Sequence, residues 1–365
     1  MKRKRAAHRD DSLQAGKLPY QFIDNQFFRS SFMNHRERFY NLMRFKPVDR
    51  LPVVEWAAYW KLTVDRWKQE GLPADITDPA AIRKYFGLDP YYQLWVPCPI
   101  PDSLQDRDEG QRLVKDMASY RQILPQLYPT PALDSNTVKQ LEGWAVQHRK
   151  GDCVVWLTLE GFFWFPRRLF GIEEHLYAFY DQPELMHTIN RDLAAYNLRV
   201  LDEFCAVLRP DFMSFAEDMS YNHGPMISRE LFDNFMAPYY RRIVPALRER
   251  DIVCFIDSDG LIDNLIPWYA EVDVDGFFPL ERQAGVDLAC LRQRHPRVRF
   301  LGGFDKMVMH KGEAEIRREF ERLLPVMRQG GFLVSMDHQT PPAVSISTYR
   351  LFVQLLQEYC GKAVH

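Results

Sequence analysis

The sequence predicts an α/β fold: a single (β/α)8 barrel of the TIM type over residues 33–365, with residues 1–32 as an extension outside it. Three observations lead there. Short apolar runs alternate with amphipathic helical patterns along most of the chain, as parallel strands covered by helices require. Eight such units fit 365 residues, a number that favours a closed barrel over an open sheet. No glycine-rich phosphate loop follows the first strand, which weakens a doubly wound dinucleotide-binding fold.

The elements follow in order. Up to Phe32 the chain is polar and lacks periodicity, suiting a segment that packs on the surface or on a neighbouring subunit. Asn34 then leads into a helix with Phe39, Leu42 and Met43 on one face, stopped before Pro47. Leu51–Trp56 reads as the first strand, Lys61–Glu70 and Ala80–Phe86 as helices, and Tyr91–Val96 as the second strand. From Pro97 to Pro131 prolines and the polar run Asp102–Gly110 suggest a long excursion, with a hairpin through Leu113 and Tyr120–Leu124, lying over the molecule as a lid. Regular alternation then resumes. Strands are expected at Cys153–Leu159, Phe212–Ala216, Val253–Asp257, Gly276–Leu280, Val298–Leu301 and Phe332–Met336. Ser228 caps one long helix running through Leu247, and Ser347–Tyr359 closes the chain as a helix.

Composition narrows the function. A net charge of -2 argues against a nucleic-acid surface, and the basic tip Lys2-Arg3-Lys4-Arg5 reads as a solvated tail. No signal-peptide core follows that tip, and no apolar run is long enough to span a bilayer. Six cysteines without close pairs read as reduced thiols, so a cytoplasmic protein acting on a small molecule is expected. Whether it forms a homodimer stays open.

The candidate site is centred on Val253–Gly260, where an apolar strand runs into Asp257-Ser258-Asp259-Gly260. Alternation puts Asp257 and Asp259 on one face. Two carboxylates this close repel, so the pair needs a metal, a shared proton or a cationic partner, although Asp259-Gly260 can also simply close a turn. Glu55, Glu160, Glu217-Asp218, Glu281-Arg282, Asp305-Lys306 and Asp337-His338 also fall at or near strand ends. In a barrel these ends converge on one rim. Each alone can be a helix cap, the better reading for Asp305 and for Asp218.

From Met33 to about Tyr359 the chain resembles the uroporphyrinogen decarboxylase superfamily, which also holds corrinoid-dependent and coenzyme M methyltransferases. The resemblance lies in Asn34-His35-Arg36-Glu37-Arg38-Phe39 with Pro47-Val48-Asp49-Arg50, in Asp257-Ser258-Asp259-Gly260, in Pro279-Leu280-Glu281 with Ala284-Gly285, in Gly302-Gly303-Phe304-Asp305-Lys306 and in Asp337-His338-Gln339-Thr340-Pro341-Pro342. It implies the same barrel. Two departures bear on function. The decarboxylases carry arginines just after the first strand that grip substrate carboxylates, and here Glu55-Trp56-Ala57-Ala58-Tyr59-Trp60 stands there. The methyltransferases hold zinc with a His-x-Cys pair and a later cysteine, where this chain has Asp257-x-Asp259 and Asp337-His338, leaving only a harder N/O site for zinc, manganese or magnesium.

Three readings follow from that resemblance. The first is a methyltransferase passing a methyl group from a small methylated substrate to a corrinoid on a partner protein. Asp257, Asp259 and His338, with Glu217 as fourth ligand, would then hold a metal or an acid group. Trp56, Tyr59, Trp60, Glu160, Phe163, Arg282 and Asp337 are the substrate-binding candidates, and Phe162 and Trp164 can add to an aromatic wall. The second is a cofactor-independent decarboxylase acting on a tetrapyrrole, in which Arg167, Arg168 or Arg282 would replace the missing arginines. The third is a non-catalytic barrel that binds a tetrapyrrole or a corrinoid protein.

Overall fold

In the computed structural model, which describes residues 32–100 and 112–364, the strands are β1 (Tyr91–Val96), β2 (Val154–Glu160), β3 (Phe212–Ala216), β4 (Ser220–Tyr221), β5 (Gly224–Pro225), β6 (Val253–Asp257), β7 (Gly276–Phe278), β8 (Arg299–Phe304) and β9 (Phe332–Met336). Strands β1-β2-β3-β6-β7-β8-β9 lie side by side in that order as one curled parallel sheet, and β4 and β5 form a separate antiparallel ribbon. Helices cross over between successive strands, so all strand C-termini face the same way.

The closed eight-stranded barrel expected from the sequence is corrected to this seven-stranded sheet. The expected first strand, Leu51–Trp56, makes no ladder among the described residues. Its donors are engaged elsewhere. Leu51 N–H bonds the Cys360 carbonyl at 3.1 Å, Val53 N–H the Asp89 carboxylate at 3.0 Å, and Trp56 N–H the Ser335 hydroxyl at 3.2 Å. Pro52 has no donor at all. The bonds that a ladder needs are taken instead by the Cys360 carbonyl and by the Asp89 and Ser335 side chains.

Two other expectations change. In place of the hairpin after Leu113 there is a helix, Met117–Leu127, capped by Asp116 and Ser119 in reciprocal bonds, with Tyr120 and Leu127 fully buried at helical spacing. The long helix after Ser228 is two, Arg229–Phe235 and Ala237–Glu249, because Pro238 lacks the N–H that would bond back across the junction. Residues 1–31 of the expected extension and the run Asp102–Gly110 of the expected lid lie outside the described residues. No helix among the described residues is long and apolar enough to cross a membrane, and the six cysteines are all unbridged.

Aromatic side chains fill the sheet's concave interior. Trp156 stacks on Phe212 at 5.0 Å, Phe278 meets Trp156 edge-on at 5.4 Å, and Phe255 touches Phe212 at 5.8 Å. Trp56 adds a further edge contact to Phe278 at 5.1 Å. Such rings interlock in preferred tilted geometries and leave little room below them. The strand ends therefore stand on a rigid floor.

At the N-terminal edge of the sheet, the motif Asn34–Phe39 acts as a set of pins. Asn34 and Glu37 cap the helix His35–Met43 reciprocally. Arg38 grips Asp49 with two bonds of 2.7 and 2.8 Å, Arg50 grips Asp89 with two of 2.7 Å, and Arg36 bonds Asp211 at 2.8 Å. Asp211, buried just before β3, also accepts from the Val155 amide at 2.8 Å and lies 2.9 Å from His148. Burial alone would raise its pKa, yet the His148 bond, the Arg36 charge and that amide hold it below the usual carboxylate range. A depressed carboxyl stabilises the fold above the unfolded pKa and loses that contribution as pH falls through the folded value. Asp211→Asn should therefore cost about 3 kcal/mol at neutral pH, a difference that shrinks as pH falls below the ordinary carboxylate range. Parallel calorimetric melts at pH 7 and pH 3 check this, and an equal loss at both would contradict it.

Candidate active site

Strand β6 runs into Asp257, and alternation turns Asp257 and Asp259 toward one cavity at the strand C-termini. Ser258 points the other way, its hydroxyl accepting from the Met219 amide at 3.1 Å. Gly260 closes the turn with φ 81°, and a Cβ there would sit 2.6 Å from the Tyr221 backbone. Only glycine fits that approach.

The cavity measures about 300 Å³. Its walls are Trp56, Trp95, Trp156 and Trp164, its acidic side is Asp218, Asp257 and Asp259, and His338 and Gln339 close it from the end of β9. Ala57, Ala58 and Ala216 keep it open. The Trp56 indole N–H bonds the Met336 carbonyl at 2.7 Å, and that of Trp156 bonds the Ser214 hydroxyl at 2.8 Å, so both rings are fixed.

Electrostatics set this place apart. Burial, then the charges of Asp259 and Asp218, push the Asp257 carboxyl well up. Burial, then Glu281 and Asp218, push Asp259 up to about 7. His338 stands 3.8 Å from Asp259, beyond direct hydrogen-bond reach, and burial with the Lys306 charge lowers its pKa. Asp218, read from the sequence as a helix cap, instead joins this group. It sits at φ 41°, 3.3 Å from Arg167, and burial raises its pKa. A non-glycine residue held in the left-handed region is strained, as residues at functional sites often are.

Several expected site residues are placed otherwise. The Glu217 carboxylate is fully buried and accepts from the amides of Phe162 at 2.9 Å, Phe163 at 2.7 Å and Trp164 at 3.2 Å, and from the Tyr240 hydroxyl. Those four donors occupy its two oxygens, so in this structure Glu217 serves as a clamp. Burial lifts its pKa to about 7 against those bonds. Gly161 makes the clamp feasible, since a Cβ there would meet the carboxyl carbon at 2.1 Å. Glu160 is sealed behind the strand by Arg168 and the Cys98 amide. Phe163 packs in the core on His175 at 4.6 Å, the Tyr59 hydroxyl pairs with that of Tyr349 at 3.0 Å, and Trp60 stands outside the cavity, 47% exposed. Arg282 uses its guanidinium on the Val286 carbonyl at 3.0 Å, and its amide on Asp337. Asp337 also accepts from the Lys306 amide at 3.1 Å, so it braces the loops beside the cavity, and burial raises its pKa to about 6. Asp305 caps the turn that follows it, accepting from Met307 N–H at 2.8 Å.

Of the expected ligand set, Asp257, Asp259 and His338 line the cavity together, with His338 3.8 Å from Asp259, while the Glu217 oxygens are taken up by its four donors. Among the described residues no group of three or more His, Cys, Asp or Glu side chains is arranged to hold a metal ion. Trp95 and Trp156, which sequence reasoning missed, line the cavity. Their signal was faint: tryptophans in strands are ordinarily core.

Residues 168–359 match the family model described as Uroporphyrinogen decarboxylase (URO-D). The chain belongs to this family. The match begins past β2 and takes in Asp218, Asp257, Asp259 and His338, so the acidic side of the cavity is framed by family sequence while all four of its tryptophans come from outside it. Among solved structures, a methyltransferase from Methanosarcina mazei superposes with a TM-score of 0.66 at 14% identity, covering 90% of this chain and 99% of that one. A protein from Listeria monocytogenes described as a vitamin-B12-independent methionine synthase gives 0.42 at 15%, covering 87% and 98%. No curated protein matches the chain.

Two outcomes test this geometry. A carboxyl with a raised folded pKa binds a proton that the unfolded chain releases, so its contribution to stability declines from about pH 4 upward through about 7. Asp259→Asn should therefore melt higher than the parent at pH 8 and show a shallower decline between pH 5 and pH 8. Superimposable pH profiles would mean that the carboxylates do not repel. Separately, Gly161→Ala should lower the melting temperature and shift Trp164 emission to the red by loosening the turn that Glu217 clamps, and unchanged emission would count against the clamp.

Proposed function

We propose that this URO-D-family chain is an enzyme that takes a methyl group from a small methylated substrate bound in the rim cavity. The observation that carries the reading is the lining: four tryptophans and four carboxylates, Glu217, Asp218, Asp257 and Asp259, with no lysine or arginine among them. A corrinoid on a partner protein would supply the nucleophile that accepts the methyl group. The fold likeness to a methyltransferase is in keeping with this, and the free cysteines suit a cytoplasmic setting.

The lining works against tetrapyrrole decarboxylation. A multiply anionic porphyrinogen needs fixed cations, and the three arginines that could replace the absent ones are engaged: Arg167 with Asp218, Arg168 with Glu160, and Arg282 with Val286 and Asp287. At about 300 Å³ the cavity lies at the small end of ligand pockets.

The chemistry follows from the charges. A methyl group departs from a heteroatom readily when that atom is positively charged, because the bonding pair collapses onto it and leaves it neutral. Asp257 and Asp218 favour the charged form of the bound substrate, and Asp259 with His338 can hold the proton that a neutral heteroatom would need. The tryptophans exclude water from the methyl group.

Anaerobic incubation with free reduced cobalamin and a panel of methylamines, methyl ethers and methyl thioethers should give methylcobalamin, read from its visible spectrum, with at least one donor. Asp257→Asn should lower that rate by roughly 100-fold or more, a loss of the order general acid–base and electrostatic groups supply. No methylated product from any donor, or conversion of uroporphyrinogen to coproporphyrinogen, would overturn the proposal.

A further inference from the structure

We infer that the ligand this cavity recognises is a methylated ammonium ion, seated on tryptophan faces with Asp257 as its counter-charge. The inference deepens the methyl-donor reading by naming the substrate class, but its argument is one of recognition alone.

Consider first what the cavity lacks. Asp257 makes no side-chain hydrogen bond or ion pair among the described residues, and the charges felt at its carboxyl, Asp259 and Asp218, are both negative. The nearby carboxylates share few cations. Asp218 has Arg167 at 3.3 Å, and one ammonium, Lys306, lies 3.4 Å from Glu281 and 3.8 Å from Asp337. Asp259 has His338, whose pKa is lowered, and feels the Lys306 charge, but burial with Glu281 and Asp218 outweighs that charge. A half-buried carboxylate without a partner, inside a cavity with no lysine or arginine in its wall, is a site short of one positive charge.

The walls say which kind of cation fits. With the Trp56 and Trp156 N–H groups bonded to the protein, those rings offer the cavity carbon and π-electrons, which attract a diffuse positive charge and tolerate methyl groups. Trp95 adds a third indole to the lining, and Trp164 already holds the Arg167 guanidinium 5.1 Å from its ring centre, a diffuse cation of the kind these faces attract. A hard divalent ion calls for a shell of oxygen ligands, and the carboxylates here are not arranged to give one. A primary ammonium, strongly hydrated, would gain little from indole walls.

Titration calorimetry at pH 7.5 with no methyl acceptor present tests the inference. The probes are choline chloride, its neutral carbon isostere 3,3-dimethylbutan-1-ol, and magnesium and zinc chloride. Choline should bind at least tenfold tighter than the isostere. Asp257→Asn, nearly unchanged in shape, should weaken choline by tenfold or more and leave the isostere alone. Trp95→Ala, at a half-exposed position where folding is not at stake, should weaken choline by about 2- to 30-fold, the range of a cation–π contact. Melting curves confirm that each variant is folded. Equal binding of choline and isostere, no binding of choline, or displacement of choline by zinc or magnesium through Asp257 would each overturn it. Choline binding without methyl transfer would keep this inference and remove the methyl-donor reading. Transfer from a neutral methyl ether by a chain that does not bind choline would do the reverse.

Discussion

Glu217 accepts hydrogen bonds from three consecutive amides, Phe162 to Trp164, and from the Tyr240 hydroxyl, and the far side of the cavity depends on that carboxylate. The amides open the helix Trp164–Phe170 and would otherwise be unpaired donors at its start. By filling them, a residue just after β3 ties the end of β2 to its neighbour and fixes where Trp164 stands. Gly161 leaves the gap into which the carboxylate fits. A buried group that costs much to desolvate is kept here because its bonds set the position of a cavity wall.

The two edges of the sheet treat carboxylates in opposite ways. At the N-terminal edge Asp49, Asp89 and Asp211 each meet an arginine, and each has its pKa lowered, Asp89 far below the ordinary carboxylate range. At the C-terminal edge Asp218, Asp257, Asp259 and Asp337 are raised, because burial and mutual repulsion outweigh the available cations. The same chemical group thus stabilises one edge and strains the other. Strain of that kind costs stability, and it is tolerated where a ligand restores the balance.

This contrast explains what could be read from the sequence and what could not. The placement of Asp257 and Asp259 on one side followed from strand parity, and the crowding of acids at strand ends followed from the alternation of elements. Parity cannot tell a carboxylate that faces a cavity from one that clamps a turn, so Glu217 and Asp218, adjacent in sequence, have roles opposite to those first expected. Glu160 likewise ends a strand but is closed off by Arg168, eight residues away on the next helix. The missing eighth strand was hidden for a related reason. Leu51–Trp56 has the apolar pattern of a strand, and only the positions of Asp89 and Ser335, distant in sequence, show that its amides bond to side chains.

Trp56 connects these points. It ends that extended segment, and its ring stands between the aromatic floor of the sheet, 5.1 Å from Phe278, and His338, 6.2 Å away edge-on. In the resemblance noted from the sequence this segment carries arginines that hold an anion; here it carries an indole, and carboxylates stand opposite. Both changes act in the same direction, since removing a fixed cation and exposing an unpaired Asp257 each make the cavity more negative. The scaffold need not alter for this, because the pins that position the strands lie at the other edge and none of them borders the cavity. A family fold can therefore keep its frame while a few side chains at one rim set the charge of the cavity.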